Sequence, residues 1–158
     1  MDRKISVLPS AVPLTGPEIL SGVQSGANVG LTVAQIRSFL LSTQNSYSKG
    51  QSVTPVALTD GATLNTDASL SNNFTLVLGG TGRTLANPTN LADGQIINWY
   101  VKQDAVGSKT ITVYGSLFKW PGGTVPTLST PANSVDLIVG QYISSLGIIA
   151  CNFLKGFA

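Results

Sequence analysis

The chain contains no histidine and only one glutamate, Glu18. Without histidine it lacks the side chain that ordinarily titrates between pH 5 and 8. That excludes Ser-His-Asp and Cys-His constellations, the commonest general base and most metal sites. Only 10% of the residues are charged, far below the usual share of about 25%. A chain so poor in Glu, Lys and Arg has little material for solvent-facing helices. The single cysteine, Cys151, cannot close an intrachain disulfide, and its apolar setting at 147–151 reads as a small buried hydrophobe. No apolar run reaches the roughly 18 residues that a membrane span needs. Met1-Asp2-Arg3-Lys4 is followed by Pro9, Pro13 and Pro17 rather than by the apolar core of a signal peptide. The expectation is synthesis in a cytoplasm, with no membrane insertion.

Positive charge is scarce too. Nine Lys and Arg against seven Asp and Glu leave +2, and the only basic pair is Arg3-Lys4. Nucleic-acid binding needs clustered cations to neutralise phosphates, so no nucleic-acid partner is expected.

What fills the polar surface instead is Ser, Thr, Asn, Gln and Gly, the vocabulary of sheets and turns. At 158 residues the chain is one domain, or one domain with an appendage. Three parts can be read. Residues 1–42 carry two helix-start signals. Thr15-Gly16-Pro17-Glu18 is a capping-box pattern before a short helix, and Thr32-Val33-Ala34-Gln35 is a second. After the second, Val33, Ile36, Phe39 and Leu40 share one helical face, which predicts a helix over 33–41. Such a stripe cannot cover itself and must dock on something. Residues 43–52 read as a polar linker.

Residues 53–158 read as strands punctuated by Gly, Asn and Pro. Strands are expected at 74–78, 95–102, 109–114, 134–142 and 147–154, with 95–102 and 109–114 forming one hairpin and the last two another. With no interleaved helices, this spacing predicts an antiparallel β-sandwich or jelly roll. Trp99 belongs with Ile97 and Val101 on the core face of its strand.

Paired carboxylates could still cleave glycosides. Asp60 and Asp93 precede glycine and Asp104 sits in a turn, so Asp67 and Asp136 alone lack an obvious structural task; Asp136 reads as a surface or interface residue. Gly79-Gly80-Thr81-Gly82-Arg83-Thr84 lacks the terminal Gly-Lys-Ser/Thr and the helix of a phosphate loop and reads as a turn. No catalytic, metal or cofactor site is expected. Among the aromatics, Trp120 at the Trp120-Pro121-Gly122-Gly123 turn, with Tyr114, is the candidate glycan contact.

Several stretches resemble a known class. Lys4-Ile5-Ser6-Val7-Leu8-Pro9, Leu14-Thr15-Gly16-Pro17-Glu18-Ile19-Leu20, Val23-Gln24-Ser25-Gly26 and Leu31-Thr32-Val33-Ala34-Gln35-Ile36 resemble the N-terminal module of tailed-bacteriophage appendage proteins. Ser21 departs from it where proline is common. Residues 91–99, Phe118-Lys119-Trp120-Pro121-Gly122-Gly123 and Leu154-Lys155-Gly156-Phe157 are similar to the β domain of phage tail-fibre and other virion surface proteins. The resemblance implies a virion structural protein with an attachment segment and an outward β domain, usually trimeric. The attachment residues would be Ile5, Leu8, Leu14, Ile19, Leu20, Val33, Ile36, Phe39 and Leu40.

The leading expectation is a tail-fibre-like appendage without catalysis. A capsid decoration (cement) protein and a glycan-cleaving appendage are the alternatives. Its partners would be sister chains, as a trimer, and other virion proteins such as a tail adaptor, nozzle or capsid. A host cell-surface glycan completes the set. A positive mean hydropathy with few charges points to apolar area shielded by sister chains. Ile149, Cys151 and Phe153 are expected to face the core. Ile148, Ala150 and, beyond a kink at Asn152, Leu154 are expected at the subunit interface.

Overall fold

A computed structural model describes residues 19–24, 27–32, 34, 35, 38, 50 and 52–157. The chain divides into two compact units, Met1–Gln51 and Ser52–Ala158.

In the first unit, β1 (Ile19–Gln24) and β2 (Ala27–Thr32) pair antiparallel, from Ile19 opposite Thr32 to Gln24 opposite Ala27. Ile19 and Leu20 therefore lie in a strand, not in the short helix expected after Thr15. Two residues separate the strands, a spacing that suits a hairpin better than a helix interrupted by Gly22. The second capping box forms as expected. Gln35 N–H donates to Thr32 Oγ1 at 3.1 Å, and Thr32 N–H donates to Gln35 Oε1 at 2.8 Å. Ala34, Gln35 and Ser38 are helical. Val33, Ile36, Phe39 and Leu40 lie outside the described residues, as do Ile5, Leu8 and Leu14.

The second unit is rich in β-structure and winds as a coil. β3 (Val56–Ala57), β5 (Asn73–Leu78) and β7 (Ile96–Gln103) stack parallel in one sheet. The segments between and after them, β4 (Thr63–Leu64), β6 (Arg83–Leu85) and β8 (Ile111–Tyr114), stack parallel in another. Each turn of chain thus adds one strand to each sheet. A parallel bridge between Asp67 and Thr89 ties the first two turns at a further corner. After the third turn β10 (Val135–Ile143) joins β7 antiparallel, β11 (Ile148–Phe157) folds back on β10, and β9 (Phe118–Lys119) lies parallel on β11. The large sheet has the order β3-β5-β7-β10-β11-β9.

Buried side chains of both sheets form one core cluster. In the large sheet, Val56, Phe74, Trp99, Ile138 and Phe153 are register neighbours in a row. Phe74, Trp99 and Ile138 of that row are buried together with Leu64, Leu85 and Ile111 from the small sheet. Each fully buried side chain of this size contributes about 1.5–3 kcal/mol. The buried indole Nε1 of Trp99 donates to Thr66 Oγ1 at 3.0 Å, so its one polar atom is satisfied.

The hairpin expected from 95–102 and 109–114 does not form. Both edges of β7 are taken, by β5 and β10, and the chain is turned onto the other sheet by side chains at the corner. Gln103, 1% exposed, accepts from Lys109 N–H at 2.8 Å and donates to Lys109 C=O at 3.0 Å, as a neighbouring strand would. Asp104 Oδ1 accepts from the N–H groups of Val106 and Gly107. The second hairpin forms as expected, turning through a 3₁₀ segment Ser144–Leu146 and a left-handed Gly147.

Candidate functional site

The outward face of the large sheet is the most unusual surface of the second unit. Strand alternation sends even-numbered residues of β11 outward and odd-numbered ones inward. Ile149 and Cys151 are buried and Phe153 half-buried, while Ala150 and Leu154 are exposed and Ile148 is half-exposed. The core-facing set is therefore in place, and Ile148, Ala150 and Leu154 share the opposite side of the strand. No kink at Asn152 is needed, because 148, 150, 152 and 154 already share parity. The irregularity lies further on, where Val135 opposes Phe157 and Leu137 opposes Leu154.

Register extends this face across the sheet. Thr75, Tyr100, Leu137 and Leu154 form one outward row, and Val77, Lys102, Val135 and Phe157 another. Beside the first row, on the side away from the second, run Asn73, Asn98, Val139 and Asn152, with Asn98 Nδ2 donating to Asn73 Oδ1 at 2.9 Å. Val77, Tyr100, Leu154 and Phe157 are exposed. The outward positions of β10, Val135, Leu137 and Val139, are all apolar and half-buried, while Asp136, Ile138 and Gly140 point to the core. A strand with one face in water carries polar residues on that face, so three successive apolar outward positions are the pattern of a strand covered there too. Sequence reasoning placed Ile148, Ala150 and Leu154 here but missed Tyr100, Leu137, Val139 and Phe157. The signal was present in Val135-Asp136-Leu137-Ile138-Val139.

The two candidate glycan residues meet, but their rings are engaged with protein. Tyr114 and Trp120 pack edge to face with centroids 5.1 Å apart, and Trp120 stacks on Phe118 at 6.5 Å. Both are half-buried. The Tyr114 hydroxyl and Trp120 Nε1 are buried without hydrogen-bond partners among the described residues. Burial, followed by the negative charge of Asp136, raises the Tyr114 pKa well above the ordinary phenol value.

The carboxylates of the described residues serve local structure. Asp136, read from sequence as a surface or interface residue, is 1% exposed. It accepts from Ser129 N–H, Ser129 Oγ and Gly156 N–H at 2.7, 2.7 and 2.9 Å, tying the loop before β10 to the end of β11. Burial of a carboxylate needs such donors. Asp67 Oδ1 accepts from Asn90 Nδ2, Ser69 Oγ and Ser69 N–H, and these bonds hold its pKa below the usual carboxylate value. The N–H groups of Ser144 and Gly107 do the same for Asp93 and Asp104. Asp60 receives Arg83 in a two-pronged pair, at 3.1 and 2.7 Å. Among the described residues no three His, Cys, Asp or Glu side chains gather as a metal site requires. No helix there is long and apolar enough to cross a membrane.

At the first turn of the coil lies a hollow of about 610 Å³, bordered by Leu58, Thr63, Asn65, Asp67, Leu70 and Asn87. Sequence reasoning did not find it, because its residues come from three separate stretches that meet only when the turns stack.

The chain matches no family model, no curated protein and no solved structure.

Proposed function

We propose that this protein is a structural component of a bacteriophage virion, a tail-fibre-like appendage that works by assembly and binding and carries out no catalysis. The observation that carries this reading is the apolar outward face of the large sheet, centred on β10 and β11. In a chain with so few charges, such a face serves a protein held against other subunits. The resemblance of the first 36 residues to phage attachment modules supplies the setting. Residues 1–42 dock the protein on another virion component. The second unit acts as a β-sandwich of mixed strand direction, joined to sister chains as a homotrimer through Ile148, Ala150, Leu154 and the residues beside them.

Two measurements test this. Sedimentation of the full chain should give a trimer, and Tyr100→Asp with Leu154→Asp should yield monomers that keep a cooperative melting transition. A wild-type monomer at micromolar concentration sinks the interface. Labelling the protein in particles should place a few copies at the tail. Hundreds of copies over the shell would make it a capsid decoration protein instead.

A further inference from the structure

The hollow in the first turn has groups to spare. All three hydrogen bonds to Asp67 go to Oδ1. Among the described residues Oδ2 has no donor, and the side chains of Thr63 and Asn65, both exposed, make no hydrogen bond. Leu70, 63% exposed, stands at the rim. It also borders a second, adjoining hollow with Ser69, Asn72 and Asn90. An anionic acceptor, a hydroxyl, an amide and an apolar ledge therefore converge on one concave surface. Its volume falls within the roughly 300–1,000 Å³ of small-molecule clefts.

The charges decide what fits. Among the described residues no Lys or Arg lines the hollow, and the carboxylate of Asp60, which does, is engaged by Arg83, so nothing cationic is offered to a phosphate, sulfate or carboxylate. Asp67 leaves the surface net negative. One free carboxylate oxygen is too little for a metal ion, which takes several ligands. A neutral polyhydroxyl compound matches every group. Its hydroxyls can donate to Asp67 Oδ2, a charge-assisted bond. Others exchange hydrogen bonds with Asn65 and Thr63, and the C–H face of a sugar ring rests on Leu70.

We infer that the first turn of the coil is a binding site for neutral oligosaccharide, built on Asp67, Asn65, Thr63 and Leu70. This rests on the binding half of the function proposed above and moves it away from Trp120 and Tyr114, whose rings pack on protein.

The test uses the full-length protein on an array of immobilised neutral, sialylated and sulfated oligosaccharides. Neutral glycans should be retained and the acidic ones not. For a retained glycan, titration calorimetry should give about tenfold weaker binding for Leu70→Ala, Thr63→Arg and Asp67→Asn, the scale of one lost contact. Leu70 and Thr63 are exposed, so these two variants should melt like the parent; Asp67→Asn is read only if it does too. Trp120→Phe should bind like the parent. A silent array, retention of acidic glycans alone, or binding lost in Trp120→Phe but kept in Leu70→Ala and Thr63→Arg overturns the inference. Occupancy in the particle is scored separately. Glycan-blind variants that still incorporate normally leave the assembly function standing, and a parent that binds glycan but never incorporates condemns only that function.

Discussion

Gly140 is the residue on which the packing of β10 turns. It is buried and faces the core, and a Cβ there would lie 2.5 Å from Ile149 Cγ2 and 3.3 Å from Trp99 Cζ3. Neither neighbour can yield easily, since both are fully buried. Gly140→Val should therefore cost about 3 kcal/mol through overpacking, read as a lower denaturant midpoint with an unchanged slope. The aspartates give a second prediction. Asp67, Asp93 and Asp104 have folded pKa values below the ordinary 3.8, each through hydrogen bonds to the ionised form. A depressed folded pKa contributes stability that is present above the unfolded value and lost as the pH falls through the folded one. No histidine titrates higher up. The melting temperature should be nearly flat from pH 8 to pH 5 and drop only below about pH 4. A step near pH 6.5 would contradict this assignment.

Strand pairing is where sequence and structure part company. Local pattern was enough for β10 and β11, because adjacent strands joined by a short turn pair through local contacts. It was enough for the inward placement of Trp99, Ile149 and Cys151, because alternation is a local rule. It was not enough for β8. Pattern alone makes 109–114 an eligible partner for 95–102, but the winner is set by β5 and β10, which already occupy both edges of β7. The hollow was illegible for a related reason, since parallel stacking joins residues 18 to 29 positions apart with no repeat to announce it. A cross-link distinguishes the two pairings. Thr84 and Val113 are register partners, at a strand spacing compatible with disulfide geometry. Thr84→Cys with Val113→Cys should oxidise readily to a disulfide with no loss of melting temperature. Tyr100→Cys with Thr112→Cys, a pair that the unformed hairpin would bring close, should stay reduced.

On the scale of the whole molecule, the second unit should unfold as one cooperative body, because a single core cluster draws on both sheets and on the β10–β11 hairpin. Cys151 reports this. It is the only free thiol, buried in β11, and burial pushes its pKa up to about 11. An aromatic disulfide reagent at pH 8 should react with it only at the rate of global opening. Reaction within seconds in the absence of denaturant would mean that β11 detaches on its own.

Stacking also sets a schedule. On the ribosome the turns of the coil appear in order, each laying a strand against the one before. The edge of β7 that faces β10 stays bare until the last stretch of the unit has been made. Open edges of parallel strands attract other chains, and pairings this remote in sequence form slowly. The hairpin that finishes the large sheet is thus also its stopper. A chain released before residue 135 would have the coil without the stopper, and such products are expected to be found in the pellet rather than the supernatant.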